Sequence, residues 1–396
     1  MIKRKLYHEL IKYIDTKEAL IVNGMRQVGK TTVLKQIYAE IKNPYKLYLD
    51  LENVLNRKYF ENDNYEAIYL SLCNLVGASS DDKIYLFLDE IQKVKNLPSI
   101  IKYLGDNHNL KFFLTGSVSF YLKNLFSESM AGRKFLFELT PLSFMEFLKF
   151  KNLKYQIPQE NKQIDKVFYQ TIFPYYEEFV LYGGFPAVVL AKNQQEKEMR
   201  IGEIFASYYE KDVINFSDFR KNKVIRDLML LLLARTGCRL DISKLSLELG
   251  ISRITLGEYL SFLEATYFIK TIKPFSRNMD AEIRKMPKIY VADSGMANIL
   301  GKTAFGQTFE TAVFHQLYLK RQSNNISRFI NYYQKKNGGE IDFILNKEWA
   351  LEVKRSADIK DLKKLNKISQ DLKIKKHNLI SYQYNSLDKV IFGLQL

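Results

Sequence analysis

Three groups of residues have the types and spacing for chemistry on phosphates. The first is Gly24-x-x-x-x-Gly29-Lys30-Thr31. Glycines at these positions let successive backbone N–H groups curl around phosphate oxygens, and a helix starting there adds the partial positive charge of its N-terminus. The cradle runs through Gly24, Met25, Arg26, Gln27, Val28, Gly29, Lys30, Thr31 and Thr32. It aims the Lys30 ammonium at the β- and γ-phosphates of ATP and the Thr31 hydroxyl at Mg²⁺. The second group is Asp89-Glu90: one carboxylate for the Mg²⁺ shell and one to orient or deprotonate an attacking water. The third lies near the C-terminus and comprises Asp342 and Glu352-x-Lys354. Carboxylates on one face bind Mg²⁺ through oxygen, and the metal activates water. Lys354 then orients the nucleophile or stabilises the developing charge. Glu340 shares a face with Asp342 and reads either as a further ligand or as a solvated residue.

The flanking sequence has to position these groups. Leu20–Val22 is a short apolar run, which predicts a buried strand. Thr32, Val33, Leu34, Ile37 and Ile41 follow at helical spacing, so the glycine-rich loop joins a strand to a helix, the context a P-loop requires. A second buried strand starts at Ile84 and ends at Asp89-Glu90. Adjacent strand residues point to opposite faces, so both carboxylates serve one site only if the chain turns at the strand end. A third strand is expected over Lys111–Leu122. Its polar end, Thr115-Gly116-Ser117, places Ser117 or Thr115 to hydrogen-bond the γ-phosphate or the water. Near the C-terminus, Gly338–Ser356 reads as a hairpin with Asp342 on the first strand and Glu352 and Lys354 sharing one face of the second. Glu310 falls in the first turn of a helix over Gly306–Lys320.

GMRQVGKTT, LFLDEIQ, LTGS, AGRKFLFELTPLSFMEF and YGGFPAVV occur in this order. The set resembles a prokaryotic family of AAA-type ATPases that carry a C-terminal domain of unknown function, and the resemblance covers nearly the whole chain. It implies an α/β P-loop core, a sensor role for Ser117 or Thr115, and Arg133 as an arginine finger acting in cis or on a neighbouring subunit. The C-terminal order of helix, three strands, helix and strand is similar to the restriction-endonuclease-like fold. That resemblance implies the PD-(D/E)xK metal site at Glu310, Asp342, Glu352 and Lys354.

Between these regions, Pro141 to about Ile225 reads as mostly helical. A lid over the nucleotide is expected there, with aromatic residues at helical spacing serving as packing. Gly183-Gly184-Phe185-Pro186 is a turn. Val224–Phe275 predicts a long apolar helix, two shorter helices around Leu249-Gly250-Ile251-Ser252, and a strand that opens a wing. This is a winged helix-turn-helix pattern, with Arg253 and Thr255 at the start of the second helix and Lys270, Lys273 and Arg277 beside it. Glu258 and Glu264 oppose phosphate contact there.

The 396-residue chain carries a formal net charge of +16, which favours a polyanionic partner such as DNA, although an AT-rich genome produces the same bias. No apolar run approaches the ~18 residues of a membrane span, and the N-terminus lacks the features of a secretory signal. The two cysteines, Cys73 and Cys238, cannot form a disulfide framework or a zinc site alone. Both are expected to be buried thiols in a reducing cytoplasm. The expected architecture is an α/β P-loop core (1–140), a helical lid or linker (141–223), a winged helix (224–285) and a nuclease-like domain (286–396). The expected function is ATP- and Mg²⁺-dependent ATP hydrolysis coupled to binding or cutting DNA. The alternative is a regulatory ATPase switch whose inactive C-terminal domain docks a protein partner or a second copy.

Overall fold

A computed structural model describes residues 2–116, 130, 132–160, 162–214, 222–276, 286–323, 329–335 and 338–396. Ser117 and Arg277 lie outside the described residues. The chain divides into two compact units, 1–140 with 210–216 and 265–267, and the remainder.

The first unit is built on strands β1 (Ala19–Asn23), β2 (Lys46–Asp50), β3 (Ile84–Asp89), β4 (Leu110–Gly116) and β5 (Lys134–Glu138). They form a parallel sheet in the order β2-β3-β4-β1-β5. Parallel neighbours need long crossovers, supplied here by the helices Lys30–Glu40, Tyr65–Val76 and Leu97–Asn107. With helices covering the sheet, β1, β3 and β4 are buried from end to end, which explains their uninterrupted apolar runs. Ile21, Leu86, Leu88 and Leu114 pack against Ile68, Leu72, Ile100 and Leu104, and Phe87 stacks on Phe113 with ring centroids 4.3 Å apart. The register pairs Asn23 with Gly116 and Leu88 with Leu114, so the carboxyl ends of β1, β3 and β4 converge. Ligands of open α/β sheets bind in the crevice at such ends.

The second unit contains β6 (Ile269–Pro274), β7 (Lys288–Val291), β8 (Ile330–Gln334), β9 (Glu340–Leu345), β10 (Trp349–Lys354), β11 (Lys376–Ser381) and β12 (Val390–Phe392). Their order in the sheet is β12-β11-β10-β9-β8-β6-β7. β9 and β10 form the expected antiparallel hairpin, with Leu351 opposite Phe343. The helix Phe305–Ser323 carries Glu310.

Three expectations change here. The helices Phe144–Phe150 and Lys166–Tyr182, read as a lid, bury Phe144, Phe147, Tyr176 and Phe179 in one core with Phe309, Phe314, Phe343 and Tyr382. Their aromatic face is used up in packing on the second sheet. The helices Asn222–Ala234, Ile242–Leu249 and Arg253–Ala265 follow in the expected order, with Gly250 at φ +63° closing the second and the Thr255 N–H donating to Ser252 Oγ at 3.0 Å. The strand expected to open a wing, however, pairs with β7 on one edge and with β8 on the other. A strand with a bare edge leaves backbone groups unmatched, and β8 takes up that edge, so no boundary separates β6 from the C-terminal sheet. Finally, Cys73 is buried but Cys238 is exposed.

The Gly183-Gly184 turn also gains a reason. A Cβ on Gly183, which sits at φ +77°, would lie 1.8 Å from Asp293 Oδ1. The bare backbone lets the buried Asp293 carboxylate accept the Gly184 N–H at 2.8 Å while it caps the helix Ser294–Ile299. Burial raises the Asp293 carboxyl to about 6.

Candidate nucleotide site and a second carboxylate cluster

The loop between β1 and the helix Lys30–Glu40 depends on glycine at two positions. Gly24 sits at φ +151° with Leu139 O only 2.0 Å from where a Cβ would be, and Gly29 sits at φ +100°. Both are conformations L side chains rarely adopt. Lys30 is buried, and its Nζ donates to Gly24 O at 2.9 Å and Met25 O at 3.0 Å. Burial lowers its pKa, and the negative charges of Glu90, Asp212 and Asp89 oppose that shift. The ammonium therefore rests on neutral carbonyls of its own loop. Thr31 lies in the first turn of the helix, half-buried, while Gln27 and Thr32 are exposed.

Asp89 ends β3 and is 3% exposed. Its Oδ1 accepts the Thr115 hydroxyl, and its Oδ2 accepts the Tyr48 hydroxyl at 2.7 Å. Glu90 follows at φ +58°. A non-glycine residue there stores about 1–3 kcal/mol and is characteristic of functional sites. This left-handed step is the turn that two consecutive carboxylates at a strand end require. The Glu90 N–H donates to Thr115 Oγ1 at 3.3 Å, and the Glu90 carboxylate accepts from Gln92 Nε2. The Thr115 hydroxyl thus touches both acidic residues.

Arg26, third in the loop, makes a two-pronged contact with Asp212, Nε to Oδ2 at 3.0 Å and Nη2 to Oδ1 at 3.3 Å. Its guanidinium also lies 3.9 Å from Glu90. Asp212 is 1% exposed and comes from the short helix Tyr209–Ile214. Arg133 is elsewhere. Its carbonyl accepts the Ala19 N–H at the start of β1, the end of the sheet opposite the glycine loop, and its side chain binds Asp106 at 2.8 Å. A strand of β1's length lies between it and the phosphate cradle. Arg26 is the arginine beside the acidic pair.

In the second unit, Glu310, Glu340 and Asp342 come together around Lys288, and Glu352 pairs with Lys354 on the neighbouring strand. The Lys288 Nζ, 4% exposed, lies 2.9 Å from Glu340 Oε1, 3.4 Å from Glu310 Oε1 and 3.5 Å from Asp342 Oδ1. The Tyr290 hydroxyl donates to Glu310 Oε1 at 2.6 Å, and the Val353 N–H donates to Asp342 Oδ2 at 2.8 Å. Lys354 Nζ donates to Glu352 Oε1 at 2.9 Å. Glu352 Oε2 is buried and accepts no hydrogen bond. Burial, then the charge of Asp342, raises Glu310 to about 7 and Glu352 to about 8, and burial raises Asp342 as well. The carboxylates around it hold Lys288 well above the ordinary lysine value. Among the described residues no three His, Cys, Asp or Glu side chains form a set that could hold a metal ion. The metal site expected at Glu310, Asp342 and Glu352 does not fit, because the Lys288 ammonium already lies against Glu310 and Asp342.

Sequence reasoning assigned no role to Tyr48, Gln92, Asp212, Lys288 and Tyr290. Of these, Gln92 alone sits in a motif, at the end of LFLDEIQ. The only available signal was a lysine and a tyrosine two apart on the strand Lys288–Val291, which therefore share its face.

A glycine-rich loop running from a strand into a helix, beside a parallel strand ending in two acidic residues, defines a P-loop nucleotide-binding domain. Residues 16–148 match the family model described as an AAA domain, which supports an AAA-type ATPase. Residues 174–306 and 305–391 match two models described as domains of unknown function (DUF8612 and DUF4143). The chain is 29% identical over 391 residues to an uncharacterized protein of Methanocaldococcus jannaschii, covering 95% of this chain and 84% of that one. It is 27% identical over 365 residues to an uncharacterized protein of Haemophilus influenzae, covering 88% and 84%. Among solved structures, the Walker-type ATPase of Pyrococcus abyssi overlaps 76% of this chain and 96% of its own at 15% identity, with a TM-score of 0.47. No helix among the described residues is long and apolar enough to cross a membrane.

Proposed function

We propose that the first unit binds ATP with Mg²⁺ and hydrolyses it at Lys30, Thr31, Asp89 and Glu90. The observation that carries this reading is the left-handed turn at Glu90, which turns a second carboxylate at the end of β3 with Thr115 between it and Asp89. Oxygen donors from Thr31 and Asp89 suit Mg²⁺, which when bound neutralises charge on the phosphates. The Thr115 and Tyr48 hydroxyls hold the Asp89 carboxylate in place for that role. Lys30 exchanges its two carbonyl contacts for phosphate oxygens, a stronger charge-assisted interaction. Glu90, held by Gln92, orients the attacking water and takes its proton. Arg26, close to Glu90, supplies positive charge beside the acidic pair. Glu90→Gln is expected to retain ATP binding and to slow hydrolysis by roughly 100-fold or more; wild-type turnover would remove Glu90 from this role.

The second unit is the module that such a cycle operates. Support for DNA as its partner rests on the net charge of +16 and on Arg253, exposed at the start of the helix Arg253–Ala265. A second reading, docking of a protein, is favoured by Leu247 and Ile254, which stand 83% and 78% exposed on either side of the Gly250 turn. Phosphate contacts release counterions, so a DNA partner should give a gel shift that weakens steeply with salt. A shift absent at low salt leaves the docking reading.

A further inference from the structure

We propose that Lys288 is the built-in cation of the C-terminal carboxylate cluster, filling the place a divalent metal would take and making this domain a non-cleaving module. An ammonium carries three N–H donors and no acceptor. Here three carboxylates, from the helix Phe305–Ser323 and from β9, surround it at 2.9, 3.4 and 3.5 Å. Each of its protons therefore has a carboxylate to face.

The arrangement is enclosed. Lys288 sits on β7, with its ammonium 5.6 Å from the centroid of the Tyr332 ring. Only 4% of the side chain is exposed, so swinging it out to solvent would leave the largely buried Glu310 and Asp342 carboxylates without their counter-charge. The other half of a metal site is present too. Glu352 Oε2 is buried, lacks a hydrogen-bond partner, and belongs to a residue 7% exposed on the neighbouring strand β10. A magnesium or manganese ion needs oxygens at ~2.0–2.1 Å in an octahedral shell. It cannot gather Glu310, Asp342 and Glu352 while a positive charge stands among the first two. Removing the lysine amine would leave these oxygens free to ligate.

The test is a manganese titration of the nucleotide-free, full-length protein, read by the electron paramagnetic resonance of free Mn²⁺. It is carried out in the Thr31→Ala background so that the nucleotide site contributes nothing. The chain with Lys288 should bind no ion that Asp342→Asn removes, and should leave labelled DNA uncut in Mn²⁺. Lys288→Ala should gain one Mn²⁺ per chain, bound at least about tenfold more tightly than anything in its parent, and lose it when Asp342→Asn is added. A manganese site in the Lys288 chain that Asp342→Asn abolishes overturns the proposal. So does a folded Lys288→Ala chain that gains no site. The first comparison needs no change at Lys288 and decides the matter even if Lys288→Ala does not fold. Hydrolysis of ATP is measured separately on the wild type, so failure here is distinct from failure of the nucleotide site.

Discussion

Two buried lysines, Lys30 and Lys288, each lie among acidic residues, yet their partners differ in kind. Lys30 donates to two neutral carbonyls, and burial pulls its pKa down. Lys288 is ringed by three carboxylates that hold its pKa up despite burial. A buried ammonium on neutral acceptors keeps most of its charge unanswered and gains from an arriving anion such as a triphosphate. One surrounded by carboxylates has its counter-charge already and offers an incoming ligand of either sign little. The same residue type therefore marks a place for a ligand in one unit and an internal ion cluster in the other.

That contrast breaks first at Lys30. Lys30→Ala should lower ATP hydrolysis by on the order of 100-fold or more and weaken nucleotide binding, with little change in the denaturant midpoint. Lys288→Met should behave the opposite way, costing about 3 kcal/mol or more of stability because its carboxylates lose their buried partner. Denaturant unfolding beside an ATPase assay reads both, and a Lys288→Met chain as stable as wild type would remove the ion cluster. The smallest effect concerns pH. Glu352 is raised from 4.5 to about 8 by burial and the Asp342 charge. The protonated carboxyl is thus the form the fold favours, and its stabilisation, complete below pH 4.5, is lost as pH rises through about 8. Glu352→Gln lacks that loss, so its melting temperature relative to wild type should climb from pH 5 to pH 8.5. A flat difference would sharpen the assignment by moving the titrating proton to Glu310 or Asp342.

Local patterns carried much of the fold. The loop Gly24–Thr31, the strand ending at Asp89 and the C-terminal hairpin each announce themselves by spacing that local geometry obeys. The cluster was only half legible. Glu310, Asp342, Glu352 and Lys354 follow a motif, while Lys288 is set among them by the pairing of β7 with β6 and of β6 with β8. The core in which the helices after Pro141 pack was hidden for a related reason. Aromatic periodicity on Lys166–Tyr182 shows that a face is buried, not which core buries it.

The sequence by itself determined the phosphate-binding loop, the acidic strand end and the order of helices and strands. These depend on backbone freedom at glycine and on residue periodicity, which act over a few residues. Only the tertiary structure decided that Arg26 meets Asp212, that Arg133 falls at the far end of the sheet, that Glu90 turns left-handed beside Thr115, and that Lys288 stands where a metal was expected. Each of these depends on which strand lies beside which, and contacts 22 to 186 residues apart in the chain leave no local signature.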